Sequence, residues 1–160
     1  MNNALIEFYI GNGTNNSGKT FGDIMLMSNG ELENTHDYIQ WIFPTYTPSQ
    51  CVEGSPVLDD YTVDYLASRE DFSLRFNNAI KLMVEFWDVN QPMIAGPRFW
   101  ATAGNHNHKR MTRFIESCNL FDMNYIAVDF FHKLLEYSMT VYGNELTKTN
   151  IYYWYKSTIK

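Results

Sequence analysis

The sequence predicts an all-α fold of about six or seven helices, and three observations carry that prediction. Apolar residues recur at helical spacing, as in Phe72, Phe76, Ala79, Ile80, Met83 and Phe86, whereas strict apolar–polar alternation is scarce. There is no internal repeat and no low-complexity tract that would imply stacked modules. With 45% apolar, 16% aromatic and 19% charged residues, the 160-residue chain has a globular profile and calls for a core rich in Phe, Tyr and Trp. That length suits one domain spanning 1–160, able to bury about two-thirds of its unfolded surface.

Residues 1–10 form a short apolar-aromatic lead, and Gly11 to Gly18 read as a loop by composition. Thr20 to Met27 then predicts a short helix, ended by Asn29-Gly30. From Leu32 to Phe43 the residues Leu32, Tyr38, Ile39, Trp41, Ile42 and Phe43 cover more than one amphipathic stripe, which predicts a helix inside the core, stopped by Pro44. Pro48 and Pro56 hold residues 44–58 extended. Asp59 is a suitable N-cap for a helix over 60–67. Ser68 with Asp71 imitates a capping box ahead of the longest helix, running to Phe86.

Residues 88–107 contain the two remaining prolines and two glycines, which predicts a long loop, and such loops in compact domains often carry function. His108 to Cys118 returns to a helix with Met111, Phe114, Ile115 and Cys118 inward. Tyr125 to Tyr142 is another, with Phe130, Phe131, Leu134, Leu135 and Met139 available for packing. Ile151, Trp154, Tyr155 and Ile159 suggest a last short helix.

A net charge of -6 disfavours duplex nucleic acid and anionic membrane as partners, and Lys109, Arg110 and Arg113 are the main basic concentration. Two cysteines, Cys51 and Cys118, without Cys-x-x-Cys spacing, predict buried thiols in a reducing compartment. No basic leader precedes an apolar run, and no apolar stretch approaches the roughly 20 residues of a bilayer span. The expected location is therefore the cytoplasm, or a host's cytoplasm if the source is viral.

Gly13-Thr14-Asn15-Asn16-Ser17-Gly18-Lys19-Thr20 matches the P-loop pattern, with Leu5 to Ile10 as a possible strand before it. On that alternative the chain is a nucleotide-using enzyme, with Lys19 on phosphates and Thr20 on magnesium. The chemistry needs a strand, a loop whose amides cradle phosphate, and a helix of several turns within a parallel sheet. Gly22 and Asn29-Gly30 cut the helix short, and later strands are missing. Tyr125-Ile-Ala-Val-Asp129 imitates a Walker B strand but continues helically into Phe130 and Leu134. The motif is read as accidental.

Leu32-Glu-Asn-Thr-His-Asp-Tyr-Ile-Gln-Trp-Ile-Phe-Pro44 resembles a Leu-Glu-x-x-His-x-Tyr-Ile-Gln-Trp-Leu-Phe-Pro run of the opioid growth factor receptor conserved domain. Gly18-Lys19-Thr20-Phe21-Gly22-Asp23-Ile24 is similar to the family's lead-in to that run, and Pro56-Val-Leu58 and Met83-Val-Glu-Phe86 resemble later blocks. Asn107-His-Lys-Arg-Met-Thr-Arg-Phe114 looks like the family's Asn-His-x-Arg-Ile-Thr-Arg-Ile. The similarity runs from about Phe8 to Tyr137, with an echo at Tyr153-Trp154. Thr45 stands for a usual Leu and Trp87 for a usual Gly, the second questioning the turn after the long helix. The resemblance implies a single helical domain over 1–160 of the short microbial or viral type. It names no reaction, and without a repeat-bearing tail it does not extend to the vertebrate receptor's growth role.

Two groups of polar residues are candidates for recognition. His36 and Gln40, four apart on the edge of the predicted 32–43 helix, would point together beside Trp41. Arg110 and Arg113 share a helix face, with His108 near a helix N-terminus where unpaired amides favour anions. Set against these are plainer roles: a satisfied polar network for His36 and Gln40, and a salt-bridged surface for the arginines. His106 with His108, and Asp129 with His132 and Glu136, match no known zinc pattern, and no nucleophile signature occurs, so neither metal, cofactor nor catalytic residue is expected. Tyr152, Tyr153, Trp154 and Tyr155 either seal the core or form a partner patch. The leading expectation is a noncatalytic binding domain that captures a small anionic ligand or a partner protein through His36, Gln40, Trp41, His108, Arg110 and Arg113. A third reading is a small bacterial or phage interaction protein that blocks a host complex.

Overall fold

A computed structural model describes residues 2–92 and 96–159. It is all-helical, with nine α-helices and no strand among the described residues, a little above the expected count. The chain divides into two compact units, 1–86 and 87–160.

The first unit opens with helix α1 (Asn3–Ile10), capped by the Asn2 side chain accepting from the Leu5 amide and closed by Gly11 at φ 102°. The possible strand at Leu5 to Ile10 is thus a helix, with Leu5, Phe8 and Tyr9 fully buried. Helix α2 (Phe21–Met25) starts at a complete capping box formed by Thr20 and Asp23.

The predicted 32–43 helix is two helices, α3 (Asn29–Asn34) and α4 (Ile39–Ile42). Asn29-Gly30 is not a break but the first turn of α3, because Ser28 and Glu31 form a second capping box around it. Asn34, Thr35, His36 and Asp37 are weak helix formers, and Thr35 turns extended at the end of α3. The Tyr38 hydroxyl donates to the Leu32 carbonyl at 3.1 Å, satisfying one of the groups the helix end exposes. Breaking the helix also resolves its over-wide apolar face: Leu32, Tyr38, Ile39, Trp41, Ile42 and Phe43 are all buried, which one straight stripe could not achieve.

Asp59 caps helix α5 (Asp60–Ala67) through the Thr62 amide at 2.7 Å, as expected. The Ser68–Asp71 box does not form. Asp71 is instead gripped at both oxygens by Arg69, at 2.9 and 2.7 Å, while the Ser68 hydroxyl turns back to the Tyr65 carbonyl. Helix α6 (Glu70–Phe86) is the longest at 17 residues and packs against α1, α2 and α5. Its Phe72 and Phe76 stack at 5.3 Å and extend through Tyr9 and Phe43 into an aromatic core that includes Phe8, Phe21 and Trp41.

The second unit begins with a turn in which Asp88 takes φ 54°. Trp87 does not prevent that turn; it is fully buried against Phe114 and Phe130. The expected 88–107 loop carries a 3-10 turn at Phe99–Ala101, and its residues 93–95 lie outside the described ones. Helices α7 (Asn107–Leu120), α8 (Asn124–Ser138) and α9 (Lys148–Ser157) pack on one another. Helix α8 ends four residues before Tyr142, so Met139 is 77% exposed and packs nothing away. Gly143 is buried in the turn that follows.

Among the described residues no helix is long and apolar enough to cross a membrane. Cys118 is buried, and burial pushes its thiol well above the usual range; Cys51 is exposed, against expectation, because it lies in the irregular 49–54 stretch outside any helix face.

Candidate functional site

Of the six candidate residues, three fall in each unit. In the first, His36 is exposed in the connector between α3 and α4, so it shares no helix with Gln40 and the four-residue spacing brings nothing together. Gln40 is buried on α4. Its amide Nε2 lies 3.3 Å from the Ser49 hydroxyl, and its Oε1 has no hydrogen-bond partner. Ser49 Oγ already accepts from the amides of Cys51 and Val52, leaving only its proton to offer. The opposite amide orientation suits that proton better and would leave Nε2 as the orphan. Trp41 is buried against Phe8 at 5.2 Å, and its indole N–H donates to Asn16 Oδ1 at 2.7 Å. It is a core residue and not a stacking wall.

The glycine-rich loop is built around Asn15, which is buried. Its Oδ1 accepts from the Ser17 amide, the Ser17 hydroxyl and the Lys19 amide, and its Nδ2 reaches Asp37. Two amides that a P-loop would aim at phosphate are thereby taken by a side chain. Thr20, the magnesium ligand of that alternative, caps α2. A helix precedes the loop where the motif requires a strand.

In the second unit the three candidates lie on α7, as predicted. That helix is unusual because Asn107, His108, Arg110, Ser117 and Asn119 are all buried beside Met111, Phe114, Ile115 and Cys118. Such polar burial requires partners. His108 has both ring nitrogens engaged: Nε2 donates to the Trp100 carbonyl at 2.7 Å, and Nδ1 accepts from Asn150 Nδ2 at 3.1 Å. Burial holds this imidazole below its ordinary pKa, which the bond to Trp100 offsets in part.

Asn107 Oδ1 accepts from Trp87 Nε1 at 3.1 Å and from Arg110 Nη1 at 3.3 Å. Asn105 takes the Asn107 amide on its side chain and the His108 amide on its carbonyl, so the start of α7 does not offer the free amides that its sequence promised an anion. Arg113 is half-buried. Burial lowers its guanidinium's pKa, and Glu116, three residues on, pulls the other way. Glu116 is likewise raised by burial and partly restored by Arg113.

The deciding comparison concerns the motifs that hold these helices. Residues 7–160 match the family described as the opioid growth factor receptor (OGFr) conserved region. The chain belongs to this family. No curated protein and no solved structure gives a match. Within the OGFr region the Asn107 to Arg113 run now has a structural account, since Asn107, His108 and Arg110 are the buried polar members of α7. Sequence reading missed Asn105, Trp100 and Asn150, which complete their bonding, and it read Trp154 as sealing the core or joining a partner patch without its bond to His108. The signal available was the Asn105-His-Asn-His108 run itself, four hydrogen-bonding residues in succession at the entry to α7. Among the described residues no group of three or more His, Cys, Asp or Glu is placed to hold a metal ion.

Proposed function

We propose that this OGFr-region chain is a noncatalytic binding domain that captures a small anion through α7, with Arg113 supplying the charge and Arg110 set deeper behind it. The supporting observation is the half-buried Arg113 guanidinium, whose desolvation outweighs the attraction of Glu116. An anion brought beside it would add to the charge that favours its protonated form, and guanidinium geometry suits a carboxylate or phosphate held at two points. Arg110 is 5% exposed and tied to Asn107, so it adds potential more than contact. His108 has no ring nitrogen to spare and serves by fixing α7.

Native mass spectrometry of freshly purified protein reads any retained small molecule directly. Thermal shift with inorganic phosphate and pyrophosphate, on native protein and Arg113→Gln, then tests the assignment. The expected result is an anion-dependent rise in Tm, measured for each protein against its own anion-free Tm, that native protein shows and the variant loses. An equal rise in both proteins overturns it.

A further inference from the structure

Helix α9 turns Trp154 fully inward, its ring edge-on to His108 at 5.7 Å. Its other residues leave a long face uncovered: Tyr152, Tyr153 and Tyr155 are 58%, 54% and 52% exposed, and Lys148 and Lys156 are exposed with them. At 3.6 residues per turn, Tyr152 points about 160° away from Trp154. Lys148, Tyr152 and Lys156, four residues apart in succession, therefore form one outward line, flanked by Tyr155 on one side and Tyr153 on the other. The two lysine Cα atoms stand about 12 Å apart along the axis. Helix α9 has no carboxylate. The nearest in sequence, Glu145, already accepts from the Ala103 amide at 2.9 Å.

Charge is unevenly distributed along the chain. Residues 1–86 carry twelve Asp and Glu against four Lys and Arg, whereas residues 87–160 carry six against eight. The α9 face is thus a positive, tyrosine-rich strip on a chain of net charge -6. Exposed tyrosines of this kind give large contact area at low conformational cost and are enriched where proteins meet. Three occupants can be compared on charge. A second α9 is disfavoured, because antiparallel pairing about Tyr152 sets Lys148 against Lys156 and parallel pairing sets each lysine against itself. A nucleic acid strand needs a basic field along its length, and two lysines on an acidic chain supply little of one. A helix carrying two carboxylates two turns apart, with apolar side chains between them, satisfies both lysines and covers the rings.

We propose that the outer face of α9, Lys148, Tyr152, Tyr153, Tyr155 and Lys156, docks an acidic amphipathic helix of a partner protein. This surface is separate from the α7 anion reading and stands without it. Contact is helix on helix, with tyrosine rings providing most of the buried area and the lysines setting register and polarity.

The test is a charge-swap cycle with defined peptides. One probe is a fluorescein-labelled, alanine-rich helical peptide with Glu at two positions eight apart and Leu midway; its counterpart has Lys in place of both Glu. Fluorescence anisotropy is expected to give saturable binding of the Glu peptide to native protein, about tenfold weaker for Lys148→Glu/Lys156→Glu. The Lys peptide is expected to prefer the double variant over the native chain, and Tyr152→Ala to lose both. Circular dichroism checks folding, and Lys156→Glu alone is the fallback if the double variant is unfolded. Absence of saturable binding, or binding without the crossover, overturns the proposal. Tighter binding of oligo(dT) than of the Glu peptide assigns the face to single-stranded nucleic acid instead. A concentration-dependent dimer abolished by Tyr152→Ala assigns it to a second copy.

Discussion

Trp154 and His108 are joined twice: the indole N–H of Trp154 donates to the His108 backbone carbonyl at 3.2 Å, and the two rings meet edge-on. With Asn150 bonded to the same imidazole, one turn of α9 is fastened to the first turn of α7 through a single residue. Trp154→Phe keeps most of the apolar volume but removes the donor and leaves a small gap. It is expected to lower stability by about 1–3 kcal/mol in urea unfolding, and Trp154→Ala by about 3–5 kcal/mol.

The same imidazole predicts a pH dependence. His108 carries a pKa below its ordinary 6.5 in the folded chain, so the unfolded chain binds the proton more readily. Its contribution is fully present above pH 6.5 and declines as the pH falls from there through the folded value. The exposed carboxylates Asp23 and Glu31, lowered by their bonds to Thr20 and Ser28, and Asp71, lowered by Arg69, lose their contributions only below about pH 4.5. Urea midpoints measured between pH 7.5 and 5 are expected to fall in native protein and to fall less in His108→Gln. Equal slopes would remove His108 from the account.

The glycine-rich loop separates a motif from its function. Asn15→Ala leaves the Ser17 and Lys19 amides without their acceptor in a part-buried turn, at an expected cost of about 1–3 kcal/mol. Lys19→Ala touches none of these bonds and is expected to stay within about 0.5 kcal/mol of native. Denaturation of the two variants side by side checks the order, and a larger loss at Lys19 would reopen the P-loop alternative.

Helix positions were readable where periodicity and caps agreed. Asp59 at the start of α5, the apolar ladder of α6 and the Met111 to Cys118 face of α7 all follow local rules, and local rules suffice there. The α3–α4 break was hidden because Tyr38, Ile39 and Ile42 continue an apolar count across Thr35 to Asp37. What ends α3 is a set of bonds made by side chains at a distance in sequence, including Asn15 to Asp37. The candidate site was legible as residue types on α7. Its bonding was not, because Trp87, Trp100 and Asn150 come from separate segments that no spacing connects.

Gly143 offers a steric test of the turn after α8. A Cβ there would strike the Tyr137 carbonyl oxygen and come within 2.6 Å of Ser138 Cα, and both are backbone atoms that cannot rotate aside. Gly143→Ala is expected to lower stability by about 2 kcal/mol or more, whereas Gly30→Ala, with open space around it inside α3, is expected to be neutral or stabilising. Thermal unfolding of the pair checks both signs.

Asn107 is the position where the α7 network can be taken apart by chemistry and not by size. It is fully buried; its oxygen serves Trp87 and Arg110, and its amide nitrogen donates to Asn105 Oδ1 at 3.1 Å. Asn107→Ala removes an acceptor used by a neutral donor and by a charged one, with an expected loss of about 2–4 kcal/mol. Asn107→Asp keeps the shape and strengthens the acceptor toward Arg110, yet it loses the donor and turns an oxygen toward Asn105 Oδ1. Protonating the new carboxyl restores a donor, so Asn107→Asp is expected to gain stability relative to native as the pH falls through its pKa. Urea midpoints of native protein and the aspartate variant between pH 8 and 5 measure that difference. A difference that does not change with pH would mean that the Asn105–Asn107 bond contributes nothing.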